Sequence, residues 1–225
     1  MPPPRTLRPA AVPDDRHPAG SSAFRLAVAQ VEAGIAAVRA ARPELSFDSE
    51  PPPRRLAPQA IAIAATVEIA DAEIGAGRFV LLYDPAGQEG WAGPFRVIAY
   101  LRAELDPEIA ADQFIGQVGW SWLIEALDTR LARYAASSGS VTRVVTEGFG
   151  TKADEPVVTD FEMRASWSPV SEGRDAFALD RHAAAWVDAL CLACGMPPAP
   201  PASAGVAQLP PPQLRSPALR PRRRQ

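Results

Sequence analysis

Histidine and cysteine are nearly missing from this 225-residue chain, two of each, and most metal and thiol chemistry goes with them. A structural zinc needs four ligands and a catalytic one at least three; the chain offers only Cys191, Cys194, His182 and His17. Cys191-x-x-Cys194 closes a helical pattern, whereas a redox pair of the thioredoxin kind follows a strand and opens a helix. It reads as two buried helical thiols. His182 has no recognisable serine or cysteine nucleophile beside it and reads as a surface or capping histidine. No run approaches the roughly 18 apolar residues that span a bilayer. The opening MPPPRTLRPAAVPDDRHPAG lacks an apolar core, which argues against a secretory signal and for a cytosolic protein. DPAGQEGWAG (84–93) lacks the glycine spacing and following lysine of a phosphate loop, so it reads as a long hairpin connection.

What the chain has in excess is proline. Of 25 prolines, six lie in residues 1–20, four in 51–58 and nine in 197–225, so the stretches between are proline-poor. Residues 1–21 are therefore expected to be a disordered leader, 197–225 a disordered tail, and 22–196 a single domain. The tail carries Arg215, Arg220, Arg222, Arg223 and Arg224; removing these five charges from the net −3 leaves −8 on residues 1–205. Such a body is repelled by phosphate backbones, leaving only a weak nucleic-acid contact through the basic tail.

Hydrophobic periodicity places the elements. Phe24, Val28, Val31, Ile35 and Val38 recur at steps of four and three behind Ser22, which predicts a helix over 22–42 ended by Pro43. Residues 45–50 read as a short extended piece, and PPPRRLAP (51–58) as polyproline or irregular chain. Three strands follow at 61–70, 78–84 and 95–105, joined by DAEIGAG and the 84–93 loop. A helix over about 108–134, a hairpin at 140–149 and 157–167, and a helix over 178–195 complete the chain. The order α-β-β-β-α-β-β-α predicts an α+β fold with an antiparallel sheet of about five strands, helices packed on it.

WSWL (120–123) poses a packing problem, because residues two apart on a helix face different ways. Trp120 falls on the stripe of Leu123, Leu127 and Leu131 and is expected in the core. Trp122, about 160° away at 100° per residue, shares a second narrow strip with Val118 and Ala126. That strip is expected to be covered by the 51–58 arm or by a partner, and Arg54 and Arg55 on the arm are further candidates for partner contact. Carboxylates are the competing resource. Glu104, Asp106 and Glu108, with Asp84 and His182, would suit a small hydrolase or lyase, with or without a divalent metal, if they converged in a cleft.

PPPRRLAP, LLYDPAG (81–87), FRVIAYLRAEL with DPEIAAD (95–112), WSWL, GSVTR (139–143) and EMRASWSP (162–169) together resemble an uncharacterised actinobacterial family, domain of unknown function number three thousand, over about residues 22–198. The resemblance implies a cytosolic protein with no established reaction, cofactor or ligand, and it carries over no site residues. The element order is similar to that of type III secretion chaperones and YbjN-like proteins, which bind other proteins, often as dimers. The leading expectation is accordingly a non-enzymatic, chaperone-like or regulatory module. It needs no cofactor or resident metal, has an unidentified protein partner, forms a homodimer and does not enter a membrane.

Overall fold

The structure, a computed structural model, describes residues 21–171, 173 and 177–197. Apart from Ser21 and Pro197, the expected leader and tail lie outside the described residues.

Helix α1 (Ser22–Ala41) is capped one residue earlier than expected: the Ser21 hydroxyl accepts from the Phe24 amide at 3.2 Å. Its stripe is as read, with Phe24, Val31, Ile35 and Val38 buried and Val28 packed against the core. The piece at 45–50 is a full strand, β1 (Leu45–Glu50), paired antiparallel with β2 (Gln59–Ile69) from Leu45↔Val67 to Glu50↔Ala62. This makes six strands instead of five. The prolines of the intervening arm interrupt pairing, since each lacks an amide donor. The arm's start is pinned from the sheet, Arg78 Nη2 donating to the Pro51 carbonyl at 2.9 Å.

Ala70 and Asp71, at φ 51° and 64°, make the tight left-handed turn that joins twisted strands. Strand β3 (Ala72–Tyr83) therefore takes over most of DAEIGAG, which composition had marked as a connection. The run hides its strand character because Gly75 and Gly77, lying beneath Cys194, Leu190 and Trp186, carry no side chain to show a period. Strand β4 (Phe95–Glu104) alternates as expected, with Phe95, Val97, Ala99, Leu101 and Ala103 buried.

The single middle helix is in fact two. A one-turn α2 (Pro107–Ala110) precedes α3 (Ile115–Thr129), and Leu131 at φ 55° turns the chain out of α3 into strand β5 (Tyr134–Thr146). A 3-10 turn at 150–152 leads to β6 (Val158–Pro169), and α4 (Leu179–Ala193) closes the fold. All pairings are antiparallel, in the order β1-β2-β3-β4-β6-β5. The fold is α+β, as the element order implied, with helices on one face of an open sheet.

Helix α4 lies at the middle of that face, packed on β3 and β4 and flanked by α1 and α3. Twelve of its fifteen residues are buried, alanines on several sides included. Helix α1 crosses it so closely that a side chain at Gly34 would run into the Asp180 backbone. Asp188 of α4 faces α3, where Arg130 grips it with two bonds, Nε to Oδ2 at 2.6 Å and Nη2 to Oδ1 at 2.9 Å. Both side chains are nearly dry, 12% and 3% exposed. Removing one ion of such a pair leaves the other charged in a poor dielectric, so Asp188→Ala should lower unfolding free energy by about 3–5 kcal/mol in urea titration. Arg130→Met combined with Asp188→Leu should cost less than that single change.

Candidate protein-interaction site

The corner where α2 meets α3 is set by three polar side chains. Asp106 caps α2, its Oδ1 accepting from the Glu108 amide at 2.9 Å, and Asp112 Oδ1 accepts from the Phe114 amide at 2.8 Å just before α3. Arg143, on the helix-facing side of β5, donates Nη1 to the carbonyls of Ala110 and Asp112, each at 3.2 Å. These bonds hold the helical corner against the outermost strand.

Held there, the corner collects apolar side chains that the core does not take. Ile109, Phe114 and Val118 are 41%, 53% and 39% exposed, and Val145, two residues beyond Arg143 on the same face, is 64% exposed. Phe149 and Val157, on the β5–β6 connection, are 75% and 54% exposed. With Val144, which points to the other face of β5, seven of the eleven exposed large hydrophobics among the described residues belong to this helical corner, to β5 or to the β5–β6 connection. Grouped apolar exposure of this kind marks interaction surfaces, while singly scattered residues mean little. Strand β5 also forms one margin of the sheet, thirteen residues long, with no strand beyond it among the described residues.

The strip expected to meet a partner is only partly there. Val118 is exposed, but Ala126 is 5% exposed and belongs to the core, and Trp122 is half-buried with its ring 5.5 Å from Phe161 of β6. Trp120, expected in the core, is half-buried as well, lying over Gly139 of β5 so closely that a Cβ there would stand 2.6 Å from its ring. The two rings straddle the line where α3 crosses the sheet, one on each of the last two strands, which is how residues two apart both find cover. The 51–58 arm is on the opposite face, where the Leu56 carbonyl accepts from Gln88, and it does not reach Trp122. Arg54 and Arg55 are exposed on the arm's turn, Arg55 at φ 70°.

A family model described as "Protein of unknown function (DUF3000)" matches residues 21–205 and so takes in every described element. The chain belongs to the DUF3000 family. Neither a curated protein nor a solved structure matches it. In this DUF3000 chain, then, the roles of residues have to be read from geometry.

The five candidate catalytic residues are not brought together. Asp84 follows the end of β3 beside Phe95, where its carboxylate accepts from the Ala86 amide at 3.0 Å. Glu104, Asp106 and Glu108 are at the other end of β4. The length of a ten-residue strand, about 30 Å, separates the two groups. His182 is on α4, buried in the helical layer, and is a core residue instead of a surface one: Trp167 Nε1 donates to its Nδ1 at 3.0 Å. Sequence could not show this, because only the packed layer puts Trp167 opposite it. Among the described residues no three His, Cys, Asp or Glu side chains are placed to hold a metal. Cys191 is buried and Cys194 half-buried, and burial pushes their thiol pKa values up to about 11 and about 12, so both remain protonated at neutral pH.

Burial pushes the His182 pKa down to about 4. The nearby Arg133 carbonyl opposes this without making a full hydrogen bond to Nε2, and the Arg181 charge adds to it. The unfolded chain, with a histidine near 6.5, binds a proton that the folded chain refuses, so His182 stability is complete above that value and falls as pH drops through about 4. The loss amounts to about 3 kcal/mol. Urea midpoints should decline between pH 7 and 4 in the wild type and decline less in His182→Gln, whose amide oxygen can still accept from Trp167. Because Trp122 packs on Phe161, Trp122→Ala should destabilise the fold by about 2–3 kcal/mol, with Trp120→Ala costing a similar amount in the same unfolding assay.

Proposed function

We propose that this DUF3000 protein is a non-enzymatic protein-binding module, chaperone-like or regulatory, that works in the cytosol and pairs with a second copy of itself. The observation that supports this reading is the apolar corner. Six exposed hydrophobic side chains belong to the corner of α2 and α3 that Arg143 ties to β5, to β5 itself and to the β5–β6 connection, beside a strand margin left unpaired among the described residues. Burying a large aliphatic or aromatic side chain is worth about 1.5–3 kcal/mol. A partner that covers Phe114, Val145 and Phe149 therefore has enough apolar area to bind stably, and the strand margin supplies backbone groups for β-addition. The acidic body selects against nucleic acid and favours a partner recognised by apolar contact over charge.

A photo-crosslinking amino acid placed at Phe149 of the full chain, and in a control at Leu26 on α1, tests this in the native host. Discrete protein adducts at 149 that are absent at 26 support the assignment. Adducts equal at both positions, or none at 149, overturn it. In light scattering the wild type should be a dimer that Val145→Asp with Phe149→Asp converts to monomer, both changes leaving the melting transition in place; a wild-type monomer at high concentration removes the homodimer from the proposal.

A further inference from the structure

The face of the sheet opposite the helices carries a groove of about 540 Å³, inside the range of small-ligand sites, roughly 300–1,000 Å³. Its floor is made by Leu82 of β3 and Ile98 of β4, both on the side turned away from α4. Its walls are Leu56 of the proline arm and Trp91 of the 84–94 loop. The walls are fixed to each other and to the sheet. Gln88 Nε2 donates to the Leu56 carbonyl at 3.0 Å, and the Ala92 amide donates to the Ser168 hydroxyl at 3.0 Å.

Besides Arg54 and Arg55 on the arm's turn, four arginines project from the strands on this face, and among the described residues three of the four face carboxylates. Arg78 faces Glu50, Arg102 faces Asp160 and Arg164 faces Glu162, each at 3.0 Å. Arg96, which lines the groove, has none. Its Nη1 donates to the Ala136 carbonyl at 2.9 Å and the Ser168 hydroxyl at 3.3 Å, and its Nη2 to the hydroxyls of Ser166 at 2.6 Å and Ser138 at 3.4 Å. All four partners are neutral, so a full positive charge remains in the groove, and burial already pulls its pKa below the usual arginine value. Each serine oxygen that accepts from the guanidinium must turn its own hydrogen elsewhere. Ser138 and Ser166, 3.3 Å apart, use one hydrogen between them and leave the other as a donor.

We propose that this groove binds a small organic monocarboxylate with an apolar or aromatic body, the carboxylate set against the Arg96 charge and bonded by the one free hydroxyl hydrogen of the Ser138–Ser166 pair, the body laid on Leu82, Ile98 and Trp91. A carboxylate matches the site in charge and in donors: one unpaired cation takes one negative charge, and charge-assisted bonds of this kind are the strong ones. A phosphate dianion would call for a second free cation, and Arg164, the other arginine of the groove, is already held by Glu162. The inference is independent of the apolar corner, which is built from other residues.

Titrating the full chain with 4-phenylbutyrate, followed by the Trp91 indole resonance in NMR, tests the assignment on unmodified protein. The expected result is saturable binding of the acid, with the isosteric 4-phenylbutyramide at least about tenfold weaker, the ratio that corresponds to one lost charge-assisted contact. Arg96→Gln should lose at least about tenfold in affinity for the acid and Arg96→Lys less. Because Arg96 also braces β5, the acid-to-amide ratio in the wild type decides the matter if the variants fold poorly. Equal affinity for acid and amide, no saturable shift, or inorganic phosphate moving the same resonances as strongly would overturn the proposal. So would binding only of an acetylated peptide ending in a free carboxylate, since the occupant would then be a protein terminus.

Discussion

Helix α4 has scarcely any wet side, and the rest of the helical layer is arranged to permit that. A helix buried nearly all round can carry few polar groups, and each one must be satisfied. His182 takes the indole hydrogen of Trp167, and Asp188 takes the fork of Arg130. Small residues do the remaining work. Alanines on α4 and Gly34 on α1 let the helices approach, while Gly75 and Gly77 make room in β3 for Cys194, Trp186 and Leu190. Close packing of this kind transmits any change in volume, because the interior is as dense as a crystal.

With all three long helices on one face, the sheet becomes a one-sided object. Its helix face is dry beneath the three helices, and its other face is covered, among the described residues, where the proline arm and the 84–94 loop fold back over Ala62, Val80 and Leu82. Both candidate surfaces follow from this asymmetry. The groove is the space left between arm, loop and sheet, and the apolar corner arises where the helical layer runs out before the sheet does. Arg143 and Arg96, on opposite faces, each tie the outer strand to its surroundings through carbonyl or hydroxyl oxygens.

Much of the fold could be read from the chain, and the failures have identifiable causes. Helix α1 and strand β4 show their periods because every turn or alternate residue carries a telling side chain. The first half of β3 did not, since its glycines and alanines make the face that α4 needs and show no alternation. The middle helix read too long because DPEIAADQF is compatible with helix; Asp112 turning its carboxylate onto the Phe114 amide stops it, a local choice that periodicity does not register. The tryptophans read wrongly as one inward and one outward ring because a helix crossing two strands near the sheet's margin has two places to set a large side chain.

What the sequence by itself determined was the set of pieces: an acidic, proline-flanked chain whose strands come in consecutive groups, hence an antiparallel sheet with helices laid on it. Those features are local, written in side-chain period and turn chemistry. The tertiary structure alone decided which carboxylates stayed apart, that His182 went to the core, that Arg96 met no carboxylate among the described residues, and that Phe114, Val145 and Phe149 stayed exposed. Each depends on which residues far apart in the chain become neighbours, and a one-dimensional pattern carries no record of that.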